Sequence, residues 1–121
     1  MKVANKTAKE GEDKACRYLQ NQGYKIIERN FRKGYGEIDI IAVDKEYLVF
    51  IEVKTRTSNK FGDPLESITP WKLKSLIKTA YFYRKLNSNL PDGLRIDAVS
   101  VKLSYDNNVE SIEHIKNISG F

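Results

Sequence analysis

The sequence predicts an α/β domain: a mixed sheet flanked by helices, with elements in the order α-β-β-β-α-β-β. Three observations predict it. Two segments place apolar residues at helical spacing, near the N-terminus and in the middle of the chain. Five shorter segments are rich in Ile, Val, Tyr and Phe and are bounded by Gly, Asn or Asp, as strands are. Three of these strands follow one another across short turns, and a helix then separates them from the fourth, which implies antiparallel pairing followed by a crossover. At 121 residues, 40% hydrophobic and 31% charged, the chain has room for a single domain, residues 1–121, with one core that needs no staples.

Thr7, followed by Glu10, forms a capping-box pattern and is the expected start of the first helix. That helix should run to about Gln22, with Gly23 as its stop. Ala8, Glu12, Ala15 and Leu19 share one face, and Glu12 is the odd member of an otherwise small or apolar stripe. The dipole favours a carboxylate in the first turns, so Glu12 reads equally as a solvated residue or as a functional one. Tyr24 to Asn30 is the first strand, Phe31 to Gly36 the turn after it, and Glu37 to Val43 the second strand. Asp44-Lys45-Glu46 turns the chain into a third strand, Tyr47 to Thr55, apolar on both faces until Glu52 and therefore central. A loop, Arg56 to Glu66, leads to Thr69-Pro70, a cap with proline at the first helical position, and a helix reaching about Leu86. Leu73, Leu76, Ile77 and Ala80 form its buried stripe. Leu94 to Leu103 and Val109 to Ile115 are the last two strands, joined by a turn at residues 105–108.

Composition excludes several classes. No apolar run approaches the roughly 20 residues that span a bilayer, and the charged N-terminus lacks the apolar region of a signal peptide. The lack of such a run implies no membrane association, and the single cysteine, Cys16, has no internal disulfide partner, which fits a reducing cytoplasm. Net charge is +5, which favours a polyanionic partner. The charge is unevenly spread: residues 37–53 hold five acids against Lys45 alone, while residues 54–86 hold eight basic residues against Asp63 and Glu66. An acidic centre is thus flanked by basic segments.

That centre carries the chemistry. Gly36-Glu37-Ile38-Asp39-Ile40-Ile41 and Phe50-Ile51-Glu52-Val53-Lys54 read as buried strands that carry charges, and an unpartnered carboxylate out of water costs several kcal/mol. By strand alternation Glu37, Asp39 and Ile41 share one face, and Leu48, Phe50, Glu52 and Lys54 share another. Asp39 and Glu52 converge only when the hairpin register has an odd sum. A two-residue turn at Asp44-Lys45 would pair 39 with 50, and a four-residue turn would pair 39 with 52. Two converging carboxylates suit a hard cation, Mg²⁺ or Mn²⁺. Such a cation activates water and polarises a phosphoryl oxygen, with Lys54 placed to assist and Glu12 to add a further carboxylate. Arg29, Arg32 and Lys33 before the motif, and Arg56 and Lys60 after it, are the candidate phosphate contacts. Trp71, Lys74, Lys78, Phe82 and Lys85 form a second basic and aromatic stripe, which reads first as a solvated face. Glu37 reads as an outer carboxylate or the partner of an arginine such as Arg56, and His114, the only histidine, as structural.

The runs Gly36 to Ala42 and Leu48 to Arg56, with Phe61-Gly62-Asp63-Pro64, Glu66, Lys72, Ala80 and Arg95 to Val99, resemble the YraN-like family of small bacterial proteins. The resemblance extends from Gly11-Glu12 to about Val101. That family is similar to the restriction-endonuclease-like nucleases and to archaeal Holliday-junction resolvases, which carry a helix Glu, a strand Asp and Glu-X-Lys on the next strand. On this chain those positions are Glu12, Asp39, Glu52 and Lys54. The resemblance implies a restriction-endonuclease-like core and an endonuclease site using Mg²⁺ or Mn²⁺ on DNA, branched or flapped. A resolvase activity further implies two active sites, hence a homodimer. Two alternatives fit the same residues: a non-catalytic nucleic-acid-binding module of the same fold, and a scaffold that uses Trp71 and Phe82 for protein contact.

Overall fold

A computed structural model describes residues 2–33, 36–57, 67–106 and 108–120 of the chain. Helix α1 (Lys2–Asn21) precedes strands β1 (Lys25–Lys33), β2 (Gly36–Asp44) and β3 (Tyr47–Arg56). Helix α2 (Pro70–Leu86) leads to β4 (Gly93–Leu103) and β5 (Val109–Ile115). The five strands form one sheet in sequential order, antiparallel except for the parallel β3–β4 pair that α2 connects. The mixed α/β architecture is the one expected.

Each helix covers one face. Ala15, Cys16 and Leu19 of α1 pack on Ile40, Ala42, Val49, Ile51 and Val99. Leu76, Ala80 and Tyr83 of α2 pack on Phe31, Ile38, Ile41, Leu48, Phe50 and Ile96. Burying such side chains contributes about 1.5–3 kcal/mol each. The two clusters together account for the apolar residues on both sides of β3, the central strand.

Four local features differ from the sequence reading. Helix α1 begins at Lys2 rather than at a Thr7 cap, because residues 2–6 contain no Gly or Pro to stop it. Its C-terminal end is as expected: Gly23 sits at φ +95°, its N–H donates to the Gln20 carbonyl (3.0 Å) and the Tyr24 N–H to that of Leu19 (3.0 Å). Strand β1 continues through Phe31 to Lys33, where a turn was expected, because Phe31 is buried against Ile38 and Tyr83. The stripe on α2 is also rotated, since Phe82 packs against the core and Trp71 is open to solvent. The expected cap is present, with Thr69 Oγ1 accepting from the Lys72 N–H at 3.1 Å.

The fourth difference shapes the site. Ile38 and Ile41 pack in the α2 layer whereas Ile40 and Ala42 pack in the α1 layer, so alternation along β2 skips a residue at Asp39. Strand β1 makes the matching skip. Arg29 pairs with Ile40 and Phe31 with Ile38, leaving Asn30 opposite Asp39 at φ +54°. Asn tolerates this left-handed conformation better than a branched residue. The expectation that Glu37, Asp39 and Ile41 share a face therefore fails, because both strands turn over at this level.

Candidate functional site

The hairpin register is odd. Asp44 pairs with Tyr47 and Ile40 with Ile51, across a two-residue turn at Lys45-Glu46 with Lys45 at φ +57°. Neither turn considered from the sequence is used: the strands reach one residue further, and the register of a four-residue turn arises from a tight one. Continued by one step, it sets Asp39 opposite Glu52.

Asp39 does not simply extend the ladder. Where β2 parts from β3, its Oδ2 accepts the Val53 backbone N–H at 2.8 Å. Burial, and next the charge of Glu52, push the Asp39 carboxyl up to about 7 despite that hydrogen bond and the Lys72 charge. The two acids are thus electrostatic neighbours. Glu52 is 4% exposed, and its Oε2 lies 3.5 Å from Lys54 Nζ and 3.6 Å from Lys72 Nζ. A buried carboxylate is tolerable with two ammonium groups on one oxygen.

Helix α1 brings the next group. Gly11 is buried against Thr55, and a Cβ placed on it would lie 1.9 Å from Thr55 Oγ1, so α1 approaches β3 this closely only with glycine there. The following residue, Glu12, adds to the charge that raises Asp39. Glu12 is itself held by Arg29 Nη2 at 3.1 Å, and the same Nη2 lies 2.7 Å from Asp13. That guanidinium holds the Asp13 carboxyl below its usual range. Ala8, Lys9, Glu12, Arg29, Asn30, Arg32, Glu37, Ile38 and Asp39 line a cleft of about 670 Å³. Asp39 thus has an opening to solvent, whereas Glu52 is buried.

The remaining sequence candidates are placed as follows. Glu37 pairs with Arg32 (3.0 Å), not Arg56, and both side chains are exposed at the cleft rim. Lys33 lines a shallower hollow with Arg32, Gly36 and Glu37. Arg56 is half-buried at the end of β3, opposite Lys102 of β4. Lys60 lies outside the described residues, as do residues 61–64 and Glu66. His114 is structural: its Nε2 lies 2.8 Å from Asp97 Oδ2. Fully buried Asp97 also receives hydrogen bonds from Tyr24 Oη, Arg95 and the Asn117 N–H.

Lys72, Asn30 and Asp13 were not singled out as site residues from the sequence. A signal for Lys72 exists. A helix that connects two parallel strands begins over the carboxyl end of the first, so the first turn after Thr69-Pro70 must lie beside Glu52–Lys54. Asn30 and Asp13 carry no comparable signal.

The donor chemistry suits a hard cation. Asp39 and Glu52 offer carboxylate oxygens, and Mg²⁺ is commonly bound by one or two carboxylates with water completing the shell. Among the described residues no group of three or more His, Cys, Asp or Glu is arranged around a common point for a metal ion. The arrangement is therefore a carboxylate pair, with Glu12 drawn towards Arg29.

The profile of the Uncharacterised protein family UPF0102 matches residues 11–101. The chain belongs to the UPF0102 family. It is 48% identical over 109 residues to a UPF0102 protein of Persephonella marina, covering 90% of this chain and 89% of that one. A UPF0102 protein of Thermodesulfovibrio yellowstonii is 46% identical over 110 residues, 90% of this chain and 91% of its own. One from Syntrophomonas wolfei is 41% identical over 107 residues, 88% and 91% of the two chains. The UPF0102 match spans Glu12, Asp39, Glu52, Lys54 and Lys72. No helix among the described residues is long and apolar enough to cross a membrane.

Proposed function

We propose that this UPF0102 protein is a metal-dependent endonuclease acting on DNA, branched or flapped, with a restriction-endonuclease-like core. The observation that supports this most is the odd hairpin register that brings Asp39 level with Glu52 at the β2–β3 fork, with Lys54 and Lys72 on the Glu52 carboxylate. Asp39 and Glu52 would hold Mg²⁺ or Mn²⁺, with Glu12 beside them. Such a cation would polarise a phosphoryl oxygen and ease loss of a proton from the attacking water, whose oxygen bonds to phosphorus as the P–O bond to the leaving sugar oxygen breaks.

The chain's own groups supply the rest. The Val53 N–H fixes the Asp39 carboxylate, so its free oxygen faces one direction without reorganisation. Lys54, on leaving Glu52, orients the attacking water and stabilises charge that develops on the phosphoryl oxygens. Lys72 sets a second positive charge 3.6 Å from the Glu52 carboxylate. Arg29, Arg32 and Lys33, with Arg56 and Lys60, grip the backbone phosphates on either side of the cut. Paired cuts at a four-way junction require two copies of the chain, hence a homodimer on such a substrate.

A second reading has one observation in its favour. Glu52 is neutralised by two lysines and Glu12 by Arg29, as in a nucleic-acid-binding module that lacks turnover. The two are separated by incubating the protein with linear, flapped and four-way DNA in Mg²⁺ or Mn²⁺, beside Asp39→Ala. The endonuclease reading expects cleavage that falls at least 100-fold in the variant. Cleavage that survives there assigns the activity to another site, and binding without cleavage selects the module.

A further inference from the structure

We propose that the outer face of α2 is a track for a single-stranded nucleic-acid segment, with Trp71 stacking on an unpaired base beside the site. This deepens the nuclease reading and rests on it for the place of the cut. Positions 71, 74, 78, 81 and 85 fall at i, i+3, i+7, i+10 and i+14, so Trp71, Lys74, Lys78, Tyr81 and Lys85 lie along one helix face. All five are exposed, Trp71 by 81% and Tyr81 by 56%. Helix α2 carries no acidic residue, and Lys74, Lys78 and Lys85 set three positive charges along this face for a polyanion. From Lys74 to Lys85 it extends about 16 Å along the axis, the reach of a few nucleotides.

The N-terminal end of the face adjoins the site in sequence. Lys72, the residue after Trp71, has its ammonium group 3.6 Å from Glu52. Trp71 is thus at the end of the face nearest the site, and a strand running from the site along α2 meets the indole first. The indole is 81% exposed, so its ring is open to a stacking partner. The alternation of aromatic and lysine side chains argues against an apolar protein partner, which would need contiguous apolar area. It matches the combination of stacking and phosphate contact by which single strands are held without sequence preference. Duplex bases are stacked on each other and offer the ring no face, so the observations favour a substrate with unpaired nucleotides next to the cut.

Trp71 is the only tryptophan in the chain, so intrinsic fluorescence reports on it directly. Titration with a 20-mer oligothymidylate in EDTA, where no metal-dependent cleavage occurs, should quench the emission to saturation and lose the quench as NaCl is raised. The K74Q/K78Q/K85Q variant should bind a labelled 20-mer about 10-fold more weakly by anisotropy, with the log–log salt slope reduced by about 2. Trp71→Ala should lose about 10-fold in affinity with an unchanged far-UV CD spectrum. A 20-base-pair duplex should quench little. Emission that stays constant while the strand saturates overturns the proposal, as does wild-type affinity in either variant or equal quenching by duplex. Metal-dependent cleavage with no Trp71 signal removes the track and leaves the endonuclease. A quench without cleavage keeps the track and removes the endonuclease.

Discussion

Replacing Asp39 by Asn should stabilise the metal-free protein while abolishing its proposed activity. Burial, followed by the Glu52 charge, raises the Asp39 carboxyl from 3.8 to about 7. A group whose folded value lies above its unfolded one contributes fully below about pH 3.8, and that contribution is lost as pH rises through about 7. At pH 8 the ionised Asp39 therefore costs the fold up to about 4 kcal/mol. Proton sharing with Glu52 and local relaxation return part of this, so Asn should recover about 1–2 kcal/mol. Its side-chain oxygen can still accept the Val53 N–H, bonded at 2.8 Å to Asp39, so no backbone donor is orphaned. Urea denaturation in EDTA should show the midpoint of Asp39→Asn higher by about 0.5–1 M at pH 8. At pH 4, where the wild-type carboxyl is protonated in the fold, the difference should nearly vanish. A variant that is less stable than wild type at pH 8, or equally changed at both pH values, would refute the claim that Asp39 is held against its electrostatic preference.

Asp97→Asn should destabilise the protein by about 3–5 kcal/mol in urea, because buried Arg95 loses its main counter-charge. Hydrogen bonds from His114, Arg95 and Asn117 outweigh burial and lower the Asp97 carboxyl from 3.8 to about 2. Its stabilisation is thus complete above about pH 3.8 and fades as pH falls through about 2. The wild type should accordingly lose more stability than the Asn variant over that acid range. Gly11→Ala sets a helix-propensity gain of about 1 kcal/mol against a Cβ placed 1.9 Å from Thr55 Oγ1. The overlap should win, lowering stability by about 1–3 kcal/mol by thermal melt.

Element order, the Thr69-Pro70 cap and the central place of β3 were legible because they rest on local chemistry: apolar periodicity, capping oxygens and turn residues. The nearness of Asp39 to Glu52 was legible only as a condition on register parity. Parity depends on where the turn falls, and Asp44-Lys45-Glu46 admits more than one placement. The turnover at Asn30 and Asp39 was not legible. Asn occurs in turns and strands alike, and its left-handed φ becomes necessary only when β1 and β2 must present Phe31 and Ile38 to α2. The contacts of Glu12 and Lys72 depend on how each helix is laid on the sheet. Strand pattern does not encode that, although the crossover rule places the first turn of α2 over Glu52.

Asp39 and Glu52 are proposed to form one divalent-cation site together. Its most direct test is a Mn²⁺ titration of the wild-type protein, Asp39→Asn and Glu52→Gln, followed by the electron paramagnetic resonance of free Mn²⁺. One saturable site per chain is expected in the wild type, and its loss in both variants. Binding that persists unchanged in either variant, or no saturable binding in the wild type, would contradict it.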